Sequence, residues 1–227
     1  MQKPISVRFN YISIISLYIG MLNAYAYYNY NGFLISMQSG NLIRLGIFLY
    51  ELDFALLFTT FSIILGCLIG IILMHFINYY YYKNKSLNTY KNFCLILNII
   101  LLSLFSIFAP IFSDNIALFL LALISSIHLY NVHNYYYAIH GICGVTNNVK
   151  NLGIFIGDAI ILHKRRYILI TLKYFLLFIL FSLGSFLGSL LSNYLQYNAI
   201  YIMILILIFL LIFSNKSHQY NNDTNIT

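Results

Sequence analysis

The chain has 227 residues, of which 61% are hydrophobic and 7% charged, with a formal net charge of +7. An ordinary soluble domain carries about 25% charged residues, so a soluble fold of this length could not cover itself with polar surface; the composition is that of an integral membrane protein. The basic excess is not a nucleic-acid footprint, because the Lys and Arg residues fall between apolar runs rather than along one amphipathic face.

The expected fold class is all-α, a polytopic membrane helix bundle of about six transmembrane helices in a single domain over residues 1–227. The first span, 9–28, follows Lys3 and Arg8, and with no clean small-x-small cleavage site after it, it reads as a retained helix. It contains Asn23-Ala24 and leads into the polar run Ser36-Met37-Gln38-Ser39-Gly40-Asn41-Leu42, after which 42–49 can begin a short helix. The second span, 54–76, carries Gly66-x-x-x-Gly70 and ends near the run Tyr79-Tyr80-Tyr81-Tyr82, rings suited to a membrane interface. The third, 93–112, is broken from the fourth, 116–138, by Pro110 and Asp114-Asn115. The fourth carries Asn131-Val132 and leads into Cys143-Gly144-Val145-Thr146-Asn147-Asn148-Val149. The fifth, 174–194, holds Gly184-x-x-x-Gly188 within a face of serines, and the sixth covers 199–213. A polar, Asn-rich tail over 215–227 is expected to be disordered. The three cysteines, Cys67, Cys94 and Cys143, have no spacing for a disulfide framework or a zinc site and read as small packing residues.

The charges set the expected orientation. With the N-terminus in the cytoplasm, eleven basic residues (Lys3, Arg8, Lys83, Lys85, Lys91, Lys150, Lys164, Arg165, Arg166, Lys173 and Lys216) lie in inner segments and only Arg44 lies outside. A basic side chain costs roughly 2.5–3.5 kcal/mol at a helix centre on insertion scales, so these residues are expected in loops, with both termini cytoplasmic in a bacterial inner membrane.

The two polar runs are degenerate copies about 107 residues apart, and the two GxxxG motifs fall at matching places in two halves, about 9–113 and 115–214. Each half has three spans. Tandem units of an odd number of spans lie in opposite orientations, an inverted-topology repeat of 3+3. The glycines Gly66, Gly70, Gly184 and Gly188 are expected to pack helices closely.

The motif residues Gly20-Met21-Leu22-Asn23-Ala24, Ser36, Ser39-Gly40-Asn41 and Leu45-Gly46 resemble the YoaK family of bacterial multi-pass membrane proteins. That family's first half carries Gly-x-x-(Asp/Asn)-Ala and Ser-x-x-Thr-Gly-Asn; its second half carries Gln-Asn-Ala and Thr-Gly, which look like Tyr130-Asn131-Val132 and Thr146-Asn147 here. His128 stands where the family has Gly, Tyr130 where it has Gln, Asn147 where it has Gly, and Met37 where it usually has His. The resemblance covers roughly residues 11–195 and implies about six spans without specifying a chemistry.

Ser, Gly and Asn close together do not belong in hydrocarbon, and irregular backbone at membrane depth is tolerated only against protein or a water-filled cavity. Two readings are open. In one, the two motifs enter the bundle from opposite faces and line a shared polar cavity that binds a substrate through Asn23, Ser36, Ser39, Gly40, Asn41, Asn131, Thr146 and Asn148. In the other, Ser39 and Asn41 simply cap an interfacial helix. Glu51, Asp53 and Asp158 lie near span ends and read as boundary residues, although an embedded acid would be a candidate for proton coupling. His128, His133 and His140 lack the further ligands a metal site needs, and a Ser36–His140 dyad would have nothing to orient its His. No cofactor motif or hydrolase elbow occurs, so the chain is not expected to be an enzyme. The expected partners are the lipid bilayer, an unidentified small-molecule substrate and a second copy of the chain in a homo-oligomer. The leading function is a small-molecule transporter or permease, and the rival is a non-transporting membrane scaffold, sensor or assembly partner.

Overall fold

A computed structural model describes residues 5–83, 85–135, 145–163 and 165–223, with side chains outside the description at 5–8, 87, 132–135, 145–148, 166 and 214–223. The described residues are helical with no strand: α1 (Ile5–Asn29), α2 (Gln38–Glu51), α3 (Phe54–Ile77), α4 (Leu87–Phe108), α5 (Asp114–Tyr135), α6 (Val145–Leu162), α7 (Arg165–Leu195) and α8 (Ile200–Asp223). A π-helical turn, Asn78–Tyr82, extends α3, and a 3-10 turn, Gln196–Ala199, joins α7 to α8. Each expected span coincides with a long helix, and the segments that follow the first and fourth expected spans add α2 and α6.

Local chemistry sets several boundaries. Asp53 caps α3 by accepting the Leu56 amide hydrogen at 3.0 Å, and Ser86 caps α4 by accepting from Thr89 N at 3.2 Å. Leu52, in the left-handed region at φ 56°, ends α2. Asp53→Ala should cost about 1 kcal/mol in chemical unfolding of the detergent-solubilised protein, with the fraying confined to the first turn of α3.

Among the described residues, four stretches are long and apolar enough to cross a membrane: Phe54–Tyr82, Asn88–Phe108, Asp114–Asn131 and Tyr167–Phe213, the last holding both α7 and α8. α1 is not among them, for a physical reason. Almost every residue from Tyr11 to Ala26 is buried, so this helix meets protein rather than lipid, and it carries Tyr, Ser and Asn instead of continuous aliphatics. The helices around it present the exposed Leu, Ile and Phe side chains that suit a hydrocarbon surround.

Two close helix pairs organise the bundle. α1 packs on α7 and runs parallel to it: Ser16 donates to Leu177 O at 3.0 Å, Leu17 lies at Gly184, and Met21 lies at Gly188. α3 packs on α5, also in parallel: Thr59 bonds Asn115, Gly66 lies at Phe119, and Gly70 lies at Ser126. A Cβ added at Gly66 or Gly184 would run into a backbone carbonyl oxygen, that of Phe119 or Leu17, so the absence of a side chain sets the helix separation at both seams. α1 and α5 run antiparallel, with Tyr11 beside Asn131 and Tyr18 beside His128. The α1–α7 pair therefore points the opposite way to the α3–α5 pair. Beyond these pairs, α2 lies on α3 as α6 lies on α7, α8 touches α1 as α4 touches α5, and α4 packs on α8.

Candidate functional site

The first polar motif closes on itself. Asn23, buried in α1, donates to Ile19 O at 2.9 Å and to Ser36 Oγ at 2.8 Å, and its Oδ1 accepts from Ser36 N at 3.1 Å. Asn41, in the first turn of α2, reaches back to donate to Leu34 O at 3.0 Å, and Gln38 donates to Ile35 O at 2.8 Å. Arg44 donates to Gly32 O at 3.1 Å and sits over the Phe33 ring at 5.3 Å. These side chains satisfy the backbone of residues 30–38 and pin that connection against α1. A buried irregular segment needs this, because its N–H and C=O groups have no helix to bond them.

This arrangement differs from a simple helix cap. The N-cap of α2 is Met37, with no side-chain cap bond, so Ser39 and Asn41 do not cap the helix. Ser39 and Gly40 are exposed, and a Cβ at Gly40 would meet open space, so neither joins the buried cluster. Asn23, Ser36 and Asn41 are brought together as a fastening. A pocket of about 180 Å³ opens beside it, lined by Asn23, Tyr27, Met37, Phe181, Ser185 and Ser189. Ordinary ligand sites hold roughly 300–1,000 Å³, so this one admits a few waters or a very small solute as it stands.

In the second half, Thr146 and Asn148 have side chains outside the described residues, as do His133, His140 and Cys143. Asn131 is described, and its surroundings are unlike those of Asn23. Fully buried on α5, it donates to Tyr11 Oη at 3.0 Å, while its Oδ1 has no partner among the described residues. One turn earlier, His128 is 0% exposed, and neither ring nitrogen has a hydrogen-bond partner among the described residues. Its ring meets Tyr18 of α1 edge-to-face at 5.1 Å between centroids, and the Tyr18 hydroxyl is likewise without a hydrogen-bond partner among the described residues. Lys91 lies inside α4 at 7% exposure, with its ammonium over the Tyr11 ring at 5.4 Å. Tyr11, Tyr18, Lys91 and His128 thus form with Asn131 a polar row between α1, α4 and α5 that sequence reasoning did not assemble. Lys91 is not in a loop, as the charge distribution led one to expect. It lies in α4's first turns, inside a stretch whose apolar length begins at Asn88. The available signal was its position, one turn past the Ser86 cap.

A family model described as protein of unknown function, DUF1275, matches residues 12–213, nearly the whole bundle. The chain belongs to this DUF1275 family. No curated protein and no solved structure matches it. Both the Asn23 fastening and the Tyr11–Tyr18–Lys91–His128–Asn131 row fall within the part of the chain that the DUF1275 model covers, Tyr11 lying one residue before it. Membership is compatible with the expected YoaK likeness, and it attaches no chemistry to either cluster.

The remaining expected sites sit apart. Glu51 is exposed at the end of α2, Asp53 serves as a cap, and Asp158 is half-buried in α6. Asp114 accepts from Asn31 at 2.5 Å, tying the connection after α1 to the start of α5. Among the described residues no three His, Cys, Asp or Glu side chains group as a metal site.

Proposed function

We propose that this DUF1275 protein is a small-molecule permease of a bacterial inner membrane, with both termini cytoplasmic and a polar site between two inverted halves. The observation that carries this reading is the exchange relation in the packing. If α1–α4 is mapped onto α5–α8, the α1–α7 pair becomes the α5–α3 pair, α2–α3 becomes α6–α7, α1–α8 becomes α5–α4, and α1–α5 and α4–α8 map onto themselves. With α1 antiparallel to α5, this is the pattern of a two-fold axis lying in the membrane plane, the plan of many secondary transporters. Six long helices, α1, α3, α4, α5, α7 and α8, would span, with α2 and α6 as shorter inserts. The start of α1, the end of α3 and the start of α7 share one end of the bundle, and Lys83, Lys85 and Arg165 gather there, in keeping with a cytoplasmic face. The Tyr11–Asn131 row lies where α1 of one half meets α5 of the other, toward the cytoplasmic end of the repeat interface along which transporters of this plan bind their solutes.

A second reading, a non-transporting scaffold or assembly partner, draws on the fastening: Asn23, Ser36 and Asn41 already spend their hydrogen bonds on the protein's own backbone and each other. Thermal-shift screening of purified protein against pooled metabolites and ions, with Asn131→Ala beside wild type, separates the two. Under the permease reading some compound raises the melting temperature of wild type and not of the variant; a ligand at 100 times its dissociation constant adds about 2.7 kcal/mol. A silent screen together with a stoichiometric protein partner in pull-downs would favour the scaffold.

A further inference from the structure

Four buried polar atoms lie along the seam of α1 and α5 without a partner among the described residues: the Tyr18 hydroxyl, Nδ1 and Nε2 of His128, and Oδ1 of Asn131. His128 and Asn131 are one turn apart on α5, and Tyr18 touches His128 through its ring. Such atoms are rarely left dry, because burial without a hydrogen bond is unfavourable, and a buried water commonly joins roughly two to four groups of this kind. Orphans gathered at one place, on two helices from opposite halves, point to something that sits between them.

We propose that this seam is a hydrated site for a small polar solute that both donates and accepts hydrogen bonds, with water in its place when the solute is absent. The chemistry of the atoms selects that class. Neutral imidazole offers one donor and one acceptor, the Tyr18 hydroxyl offers both, and Asn131 Oδ1 accepts. An apolar ligand would leave all four unpaired. A bare metal ion would find no carboxylate on α1 or α4, and the only one on α5, Asp114, lies at the opposite end against Asn31. Toward the start of α4, Tyr11 and Lys91 extend the polar row beyond Asn131. The class of solute rests on the permease reading; the hydration of the seam does not.

The test uses full-length protein in lipid vesicles, with Cys67, Cys94 and Cys143 replaced by Ala. Single cysteines are introduced as His128→Cys and, as a lipid-facing control, Ile72→Cys on α3. A charged, water-soluble thiosulfonate should label position 128 at least tenfold faster than position 72, and equal rates would overturn the hydrated seam. Molar urea or glycerol should slow the labelling at 128 while potassium chloride does not. Slowing by the salt alone, or by none of the three, overturns the solute class. Should His128→Cys fail to fold, Tyr18→Phe decides: removing a hydroxyl from a dry seam raises the melting temperature, whereas removing one that water or solute satisfies leaves it unchanged or lower, as expected here. Rapid labelling in a protein that moves no solute across the vesicle membrane would retire the permease reading and leave the hydrated seam standing.

Discussion

Gly184→Ala separates α7 from α1. The new methyl meets the Leu17 carbonyl, a backbone atom that cannot swing aside, while Gly188, one turn on, is also held close to Met21. Overpacking a tight interface costs about 1–3 kcal/mol, and contact with backbone rather than a flexible side chain puts this case at the upper end. Gly66→Ala, against Phe119 on the α3–α5 seam, should lose a similar amount. Gly40→Ala is the control: its surroundings are open and its backbone is helical, so the change should be neutral or stabilise by roughly 0.4–1 kcal/mol. Denaturant titration of the three variants in one detergent checks the ordering. Wild-type stability in Gly184→Ala would mean the α1–α7 helices are not in backbone contact.

Asn23→Ala releases the connection between α1 and α2. It strands the Ser36 amide and hydroxyl, both buried, and removes the bond to Ile19 O. Two stranded groups at about 1–3 kcal/mol each give a loss of roughly 2–6 kcal/mol, reduced to the extent that water reaches the freed segment. Amide exchange at Ser36 should accelerate, and protease sensitivity should appear within 30–37. Asn131→Ala makes a useful contrast. It gives up one bond to Tyr11 and a carbonyl with no protein partner among the described residues, so its cost should be about 1 kcal/mol or less. If the two variants were equally damaging, the assignment of Asn23 to fastening and Asn131 to a polar seam would be wrong.

Much of the bundle was legible from residue pattern because its determinants are local. Apolar length marked the long helices, and the two GxxxG motifs marked the seams, since small residues at that spacing act through backbone approach alone. The first motif was legible as a unit but not in its role. Ser39, Gly40 and Asn41 are adjacent in sequence, yet α2 turns Ser39 and Gly40 outward while Asn41 reaches back to Leu34. Only the helix start at Gln38, set by tertiary fit rather than by a cap, decides which of them is buried. The polar row was not legible because its members come from three helices. Tyr11 and Tyr18 look ordinary in sequence, His128 stands out only as a departure from the family's Gly and as a histidine short of metal-site partners, and a lysine near a span end reads as a loop charge until the fold buries it.

The parallel seam between α1 and α7 also bears on biogenesis. Ser16 and its acceptor, Leu177 O, are 161 residues apart, so at about 5–20 residues per second of synthesis α1 leaves the ribosome on the order of ten to thirty seconds before its partner exists. During that interval a helix bearing Ser16 and several tyrosines lacks most of the surface it is shaped to meet, although Asn23 can already bond Ser36. It must be held by the insertion machinery or by provisional neighbours. The two halves cannot mature in turn: α1 is completed only by the second half, and α3 only by α5. A nascent chain truncated before α7 is therefore a substrate for membrane quality control, however correct its first helices are.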